Sequence, residues 1–179
     1  MMKKIFMGLI GLIGLSACSS ENIVLEAFKV YDVSNTPCKT ALSKTETRPD
    51  FFAAQYEHEQ PTTLNMELGK DGVARCRLED VKGNCGVKKI YVNCVNQANR
   101  LILLVYNNPV EAPLDCICKY DMDFKMSITA PGNYDLRVYY ARSDMKYDEN
   151  DLAYKGEVNL SAGKKTSVKL NPEMMLREK

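Results

Sequence analysis

The sequence predicts an all-β fold, an antiparallel two-sheet β-sandwich stapled by disulfides. Three observations predict it. In residues 121–170, apolar and polar side chains alternate with a period of two, as in strands that have one face in a core and one in water. Short turn-forming sequences separate the alternating runs. Beyond the N-terminal segment there are six cysteines, an even number that is typical of a disulfide framework.

The first 17 residues have the pattern of an export signal. Lys3 and Lys4 give a positive start, and residues 5–15 are all apolar or glycine. This run is too short to span a membrane, which takes about 20 residues. With both lysines removed, the formal net charge falls from +1 to −1. That value argues against a nucleic-acid partner, which calls for a basic excess.

The signal ends in Leu15-Ser16-Ala17-Cys18, which resembles the lipobox of bacterial lipoproteins. The resemblance implies a signal peptide at 1–17, cleaved before Cys18, with a covalent lipid on Cys18 as the only cofactor. Residues 18–22 would then form the lipidated start and a short tether. Ser19 at the second position of the mature chain favours anchoring in the outer membrane of a Gram-negative cell. Whether the folded domain would face the periplasm or the cell surface stays open. The alternative is an ordinary secretory signal with a chance cysteine.

The predicted domain covers residues 23–172. Its first strand, 23–33, is rich in β-forming residues. Residues 34–50 are polar and contain prolines, which predicts a loop. Residues 51–60 fit either a strand or a short helix.

A hairpin follows, with strands at 64–68 and 73–78 joined by a four-residue turn at 69–72. Residues 89–95 have one apolar face and predict the next strand. The run 101–106 is apolar on both faces, so we expect it in the middle of a sheet that is covered on both sides.

The clearest alternation lies in the C-terminal third. It predicts strands at 121–128, 134–140, 154–160 and 166–170, with an acidic loop between the second and third of these. Residues 173–179 are predicted to form a polar tail.

Cysteines supply the main candidate site. Cys116 and Cys118 lie two apart, on the same face of a strand, so each is expected to reach a different partner rather than form a strained bond together. The alternative is a thiolate site for zinc or copper(I), in a protein that handles metal. Cysteines 76, 85 and 94 recur every nine residues, which in a meander would bring them side by side. The candidate disulfide cysteines are Cys38, Cys76, Cys85, Cys94, Cys116 and Cys118.

The other candidate chemistry is weaker. His58 is the only histidine, and no nucleophile motif accompanies it, so we expect no enzyme activity. A cysteine peptidase would need a free Cys85 to meet His58. In the acidic loop, Asp144, Asp148 and Asp151 are calcium candidates, but the EF-hand spacing is absent and a solvated loop is the simpler interpretation.

Ten tyrosines and no tryptophan bear on ligand binding. Tyr139 is expected to point outward beside an inward Tyr140, and Tyr147 lies in the acidic loop. Such rings suit a sugar-binding platform but are also ordinary on sheet faces. Asp121 and Asp123 are expected on an outward, solvated face.

Two motifs in the C-terminal third carry a resemblance. The segment Cys116-Ile-Cys118-Lys-Tyr120-Asp121 precedes Phe124, and Pro131-Gly132-Asn-Tyr134 follows. Together they resemble a pattern in small bacterial lipoproteins, and the turn is similar to that of transthyretin-like sandwich modules. The resemblance implies an exported, transthyretin-like sandwich with structural cysteine pairs, and transfers no activity. The number of predicted strands fits an Ig-like sandwich equally well.

The sequence therefore favours a membrane-anchored, non-enzymatic binding or structural module of the cell envelope. Its expected partners are the membrane, through the lipid anchor, and an envelope protein or a glycan. Clustering of outward tyrosines on one sheet would favour the glycan.

Overall fold

Two β-sheets pack face to face in the computed structural model, which describes residues 29–39, 42–43, 61–97, 100–111, 114, 116–127 and 130–176. The predicted all-β sandwich is confirmed. Within the described residues the only helical element is a single 3-10 turn, Glu149–Asp151. The strands are β1 Val30–Asn35, β2 Leu42–Ser43, β3 Thr63–Leu68, β4 Val73–Asn84, β5 Ile90–Gln97, β6 Arg100–Asn107, β7 Cys116–Ser127, β8 Gly132–Tyr140, β9 Leu152–Leu160 and β10 Lys165–Lys169.

The predicted elements before β3 are described only in part. The first strand, predicted at 23–33, is observed at 30–35, and residues 23–28 lie outside the described residues. The same holds for the signal segment with Cys18, and for 51–60 with His58. The short strand β2 falls inside the segment 34–50 that was predicted to be a loop.

The first sheet, sheet A, has the order β1-β7-β4-β3-β10, and all its pairs are antiparallel. Strand β2 pairs with β7 further along the edge that β1 occupies. The predicted hairpin joins β3 to β4. Gly72 permits its turn because the backbone there has a φ of 74°, a conformation that favours glycine.

Strand β4 runs six residues further than the sequence predicts. A register shift between Leu78 and Val81 marks a β-bulge, in which Asp80 has a φ of 60°. The bulge returns Val81 and Gly83 to the core side of the sheet. Because the period of two slips at this point, the alternation in the sequence breaks before the strand does.

The second sheet, sheet B, has the order β5-β6-β8-β9. Here one prediction was wrong: β6 and β8 are parallel, so the sandwich is mixed rather than wholly antiparallel. The chain leaves sheet B after β6, crosses to sheet A as β7 and returns as β8. With one strand intervening in the opposite sheet, β8 enters in the same direction as β6.

Strand β6 is buried on both faces, as its two-sided apolar run predicted. Leu101 and Leu103 belong to the main core between the sheets. Ile102 and Leu104 point the other way, into a small cluster with Tyr139 and other residues on the outer face of sheet B. Burying a leucine side chain contributes about 1.5–3 kcal/mol, so this second layer is a substantial part of the fold.

The C-terminal segment differs from the predicted polar tail. Leu176 is 2% exposed and belongs to the main core, and its backbone N–H donates to the Lys82 carbonyl at 2.9 Å. A Cβ on Gly83 would meet the Leu176 side chain at 3.2 Å, so the glycine leaves the space that this side chain fills. The domain therefore extends to residue 176 at least.

Candidate functional site

Four tyrosines gather on the outer face of sheet B and form what we call the tyrosine surface: Tyr91, Tyr106, Tyr139 and Tyr147. Tyr91 and Tyr106 are cross-strand partners on β5 and β6, and their rings stack with centroids 5.4 Å apart. Tyr139, on β8, packs against Tyr147 with centroids 4.6 Å apart. Tyr139 lies on the outer face and Tyr140 in the main core, as expected, but Tyr139 is only 2% exposed because it is packed into the outer cluster.

The segment 142–151 covers part of this face and holds Tyr147 over Tyr139. A tight turn starts it: Met145 has a φ of 64°, and its N–H donates to the Arg142 carbonyl at 2.8 Å. The Met145 sulfur then accepts from the Asn93 amide at 3.4 Å, which ties the segment to β5. Met145 is 42% and Tyr147 37% exposed, so this segment presents both its large apolar side chains to solvent.

Polar groups border the rings. The Lys89 ammonium lies 5.0 Å from the centroid of Tyr91, within cation–π range. The Tyr139 hydroxyl donates to the Glu149 carboxylate at 3.5 Å. Burial, followed by the nearby Tyr91, raises the pKa of Tyr106 above its usual value. The surface thus combines ring area with neutral hydroxyls, an amide and charges of both signs.

The acidic loop organises its carboxylates around its own backbone. Asp148 caps the 3-10 turn by accepting from Asn150 N, and Asp151 accepts from Asp148 N in a capping box. Asp144 pairs with Lys146 at 2.9 Å. Among the described residues, the only three His, Cys, Asp or Glu ligands within 4.8 Å of one another are cysteines. In this part of the structure the predicted calcium candidates Asp144, Asp148 and Asp151 are engaged in capping and ion pairing, and they do not form such a group of three.

Four of the six candidate cysteines form two disulfides at one end of sheet A. Cys38 bonds Cys118, and Cys85 bonds Cys116. Cys116 and Cys118 reach different partners, as their spacing on one strand predicted. The sulfurs of Cys38, Cys85 and Cys118 lie within 4.8 Å of one another, so the two bonds form a single sulfur cluster.

The remaining pair, Cys76 and Cys94, are buried free thiols, so the even cysteine count does not translate into three disulfides. Burial, with the nearby Cys94, raises the pKa of Cys76 to about 12. Burial alone raises that of Cys94 to about 12. The nine-residue spacing does not place all three cysteines side by side: Cys76 on β4 and Cys94 on β5 lie near each other in the core between the sheets, whereas Cys85 follows the end of β4 and bonds Cys116.

Asp121 is not the solvated carboxylate that the strand alternation predicted, since it is only 8% exposed. It accepts from the Lys39 ammonium at 2.8 Å, from Arg77 at 3.0 Å and from Asp80 N at 3.1 Å. Burial alone would raise the pKa of Asp121, but these hydrogen bonds and charges outweigh it and hold the pKa below its usual value. Asp123, exposed as predicted, pairs with Arg77 at 3.0 Å.

These ion pairs cover the outer face of sheet A, where the sequence had indicated only solvated charges. The missed signal is the bulge at Asp80, which turns a backbone N–H toward Asp121. The ion pairs of Asp80 and Asp121 with Lys39 therefore attach the segment around Lys39 to this face.

Comparison of the chain with protein-family models, with curated proteins and with solved structures found no match. Across the described residues, no helix has the length and apolar character needed to span a bilayer.

Proposed function

We propose that the protein is a lipid-anchored, non-enzymatic module of the cell envelope that binds glycans through the tyrosine surface. The observation that carries the proposal is the clustering of four tyrosines on one sheet face, where Tyr91, Tyr106 and Tyr147 reach solvent. The fourth, Tyr139, is 2% exposed and packs against Tyr147. A tyrosine ring offers an apolar face for the C–H groups of a sugar and a hydroxyl for its polar edge.

The composition of the surface favours a glycan over a protein partner. Only three large apolar side chains of the described residues are well exposed, and two of them, Met145 and Tyr147, belong to this face. A stable protein interface buries about 1,200–2,000 Å² around an apolar centre, more than two such side chains supply. Rings interleaved with Asn93, Lys89 and Glu149 instead suit a ligand that is itself amphipathic.

The anchor rests on the lipobox resemblance at Cys18. Ten residues separate Cys18 from Lys29, where the described part of the chain begins. Fully extended, they would reach about 35 Å, so the sandwich would work close to the bilayer. Two or more acyl chains hold a protein to a membrane durably, whereas one is marginal.

The anchor is tested by expressing the chain in bacteria supplied with radiolabelled palmitate. We expect label in the wild-type protein and none in Cys18→Ser, which should also keep its signal segment. Equal labelling of both proteins would refute the lipobox assignment.

Glycan binding is tested with the full chain in detergent against immobilised neutral polysaccharides, chitin oligomers and peptidoglycan. We expect one class to bind, and Tyr147→Ala to weaken that binding by about tenfold or more, as removal of a central aromatic does. Tyr31→Ala is the matched control, since this half-buried tyrosine lies in β1 of the other sheet. Absence of binding to every class, or equal losses in the two variants, would overturn the proposal.

A further inference from the structure

The two disulfides of sheet A lie together on three neighbouring segments of the fold. Cys38 follows β1, Cys116 and Cys118 lie on β7, and Cys85 follows β4. The sulfurs of Cys38, Cys85 and Cys118 are within 4.8 Å of one another, and Cys116 is bonded to Cys85. We propose that this cluster is a redox-gated zinc site: two disulfides when oxidised, four zinc-binding thiolates when reduced.

The backbone spacing fits a tetrathiolate site. In tetrahedral coordination with Zn–S bonds of about 2.3 Å, neighbouring sulfurs lie about 3.8 Å apart. The sulfurs of Cys38, Cys85 and Cys118 already lie within 4.8 Å of one another, Cys116 is bonded to Cys85, and the bonded pairs have Cα atoms 5.4 and 5.7 Å apart. After reduction, the two sulfurs of each pair can therefore separate to the distance found between zinc-bound thiolates by rotation of the side chains, without movement of the strands.

The surrounding structure holds the ligands in place independently of the bonds. Backbone hydrogen bonds join Cys85 N to the Cys116 carbonyl at 3.3 Å and Lys39 N to the Lys119 carbonyl at 2.9 Å. The ion pairs of Lys39 with Asp80 and Asp121 hold the residue next to Cys38. Reduction would thus leave four thiols that are still close together.

Part of the cluster is accessible to a reductant from solvent. Cys38 is exposed and Cys85 and Cys116 are half-buried, whereas Cys118 is fully buried. An external dithiol attacks an exposed sulfur first. For each disulfide, one dithiol supplies two electrons and two protons; the protein S–S bond breaks, two thiols form, and the dithiol becomes its own disulfide. Zn²⁺ then forms four Zn–S bonds and displaces four thiol protons to solvent.

The proposal does not depend on glycan binding, because the tyrosine surface lies on the outer face of the other sheet. The two buried thiols Cys76 and Cys94 are not part of it. They supply the internal control, since they have the same chemistry but lie outside the cluster.

The test uses the full chain in detergent, with zinc alone as the probe and a chromophoric chelator as competitor. After anaerobic reduction we expect one Zn²⁺ per chain, and none at the same affinity in the oxidised protein. Co²⁺ in place of zinc should give thiolate-to-cobalt charge-transfer absorption. The pair Cys85→Ser and Cys116→Ser should lose more than about tenfold in zinc affinity, whereas Cys94→Ala should bind as the wild type does.

Circular dichroism records whether the reduced chain keeps its sheets. If it does, failure to bind zinc overturns the proposal, and so does unchanged affinity in the double-serine variant. If reduction unfolds the chain, zinc is expected to restore the β-sheet spectrum of the wild type and of Cys94→Ala. Failure to restore it, or equal restoration of the double-serine variant, also overturns the proposal.

Discussion

Removing the Cys38–Cys118 bond should cost more stability than any single packing change, because this bond closes the longest loop. Its cysteines are 80 residues apart in sequence. The second bond lies inside that loop and shortens the chain path between them to about 50 residues, for which loop-closure entropy gives about 4 kcal/mol. Loss of the fully buried Cys118 sulfur adds about 1 kcal/mol.

The assay is urea denaturation of the double variant Cys38→Ala/Cys118→Ala. Tyrosine fluorescence is a clean probe, since the chain has ten tyrosines and no tryptophan. The control, Cys76→Ala/Cys94→Ala, removes two buried thiols that form no bond, so only packing is lost, about 1 kcal/mol for each thiol. If the first variant loses no more free energy of unfolding than the control, the cross-link does not stabilise the fold in the way argued.

Three further outcomes follow from the described contacts. Asp121→Asn should destabilise the protein at pH 7, and its difference in unfolding free energy from the wild type should shrink as the pH falls below about 4. The reason is that a carboxyl whose pKa is lowered by folding loses its stabilising contribution when it is protonated. Denaturation at pH 7 and pH 3 checks this, and an unchanged difference would contradict it. Cys76 and Cys94, with pKa values of about 12, should resist iodoacetamide at pH 8 in the folded protein and react once urea unfolds it; labelling of both without denaturant would contradict their burial. Leu103→Ala and Leu104→Ala should each lower the free energy of unfolding by about 2–5 kcal/mol, although the two leucines lie on opposite faces of β6. Urea denaturation measures this, and a decrease below about 1 kcal/mol for Leu104→Ala would show that the outer cluster does not pack as described.

The strands were predictable because their alternation has a direct physical cause. In β7 and β8 every second side chain enters the core, and burial selects apolar residues there. The run of apolar residues on both faces of β6 likewise predicted a central strand that is covered on both sides. In contrast, the continuation of β4 beyond Leu78 was not predictable, because the bulge at Asp80 shifts the apolar–polar alternation by one residue and leaves no strong local signal in the sequence.

Pairing between distant segments was harder to predict. Nothing within β6 or β8 indicates that they run parallel, because direction depends on where β7 lies between them. The cysteines show the same limit. The two-residue spacing of Cys116 and Cys118 correctly excluded a bond between them, but which cysteines stay unbonded depends on which sheet each strand joins.

The tyrosine surface was predictable only in part. Alternation places Tyr139 outward, but its contact with Tyr147 depends on how the segment 142–151 folds back. The stack of Tyr91 on Tyr106 requires the register of β5 on β6, which single-strand patterns do not contain.

The parallel pair of β6 and β8 has a consequence for how the protein folds. Its two strands meet only after the intervening β7 has crossed to the opposite layer, so neither layer is complete without the other. We therefore expect the sandwich to fold and unfold as one cooperative unit, without a stable half. Such long-range strand pairing also places its folding on the millisecond-to-second timescale of all-β sandwiches.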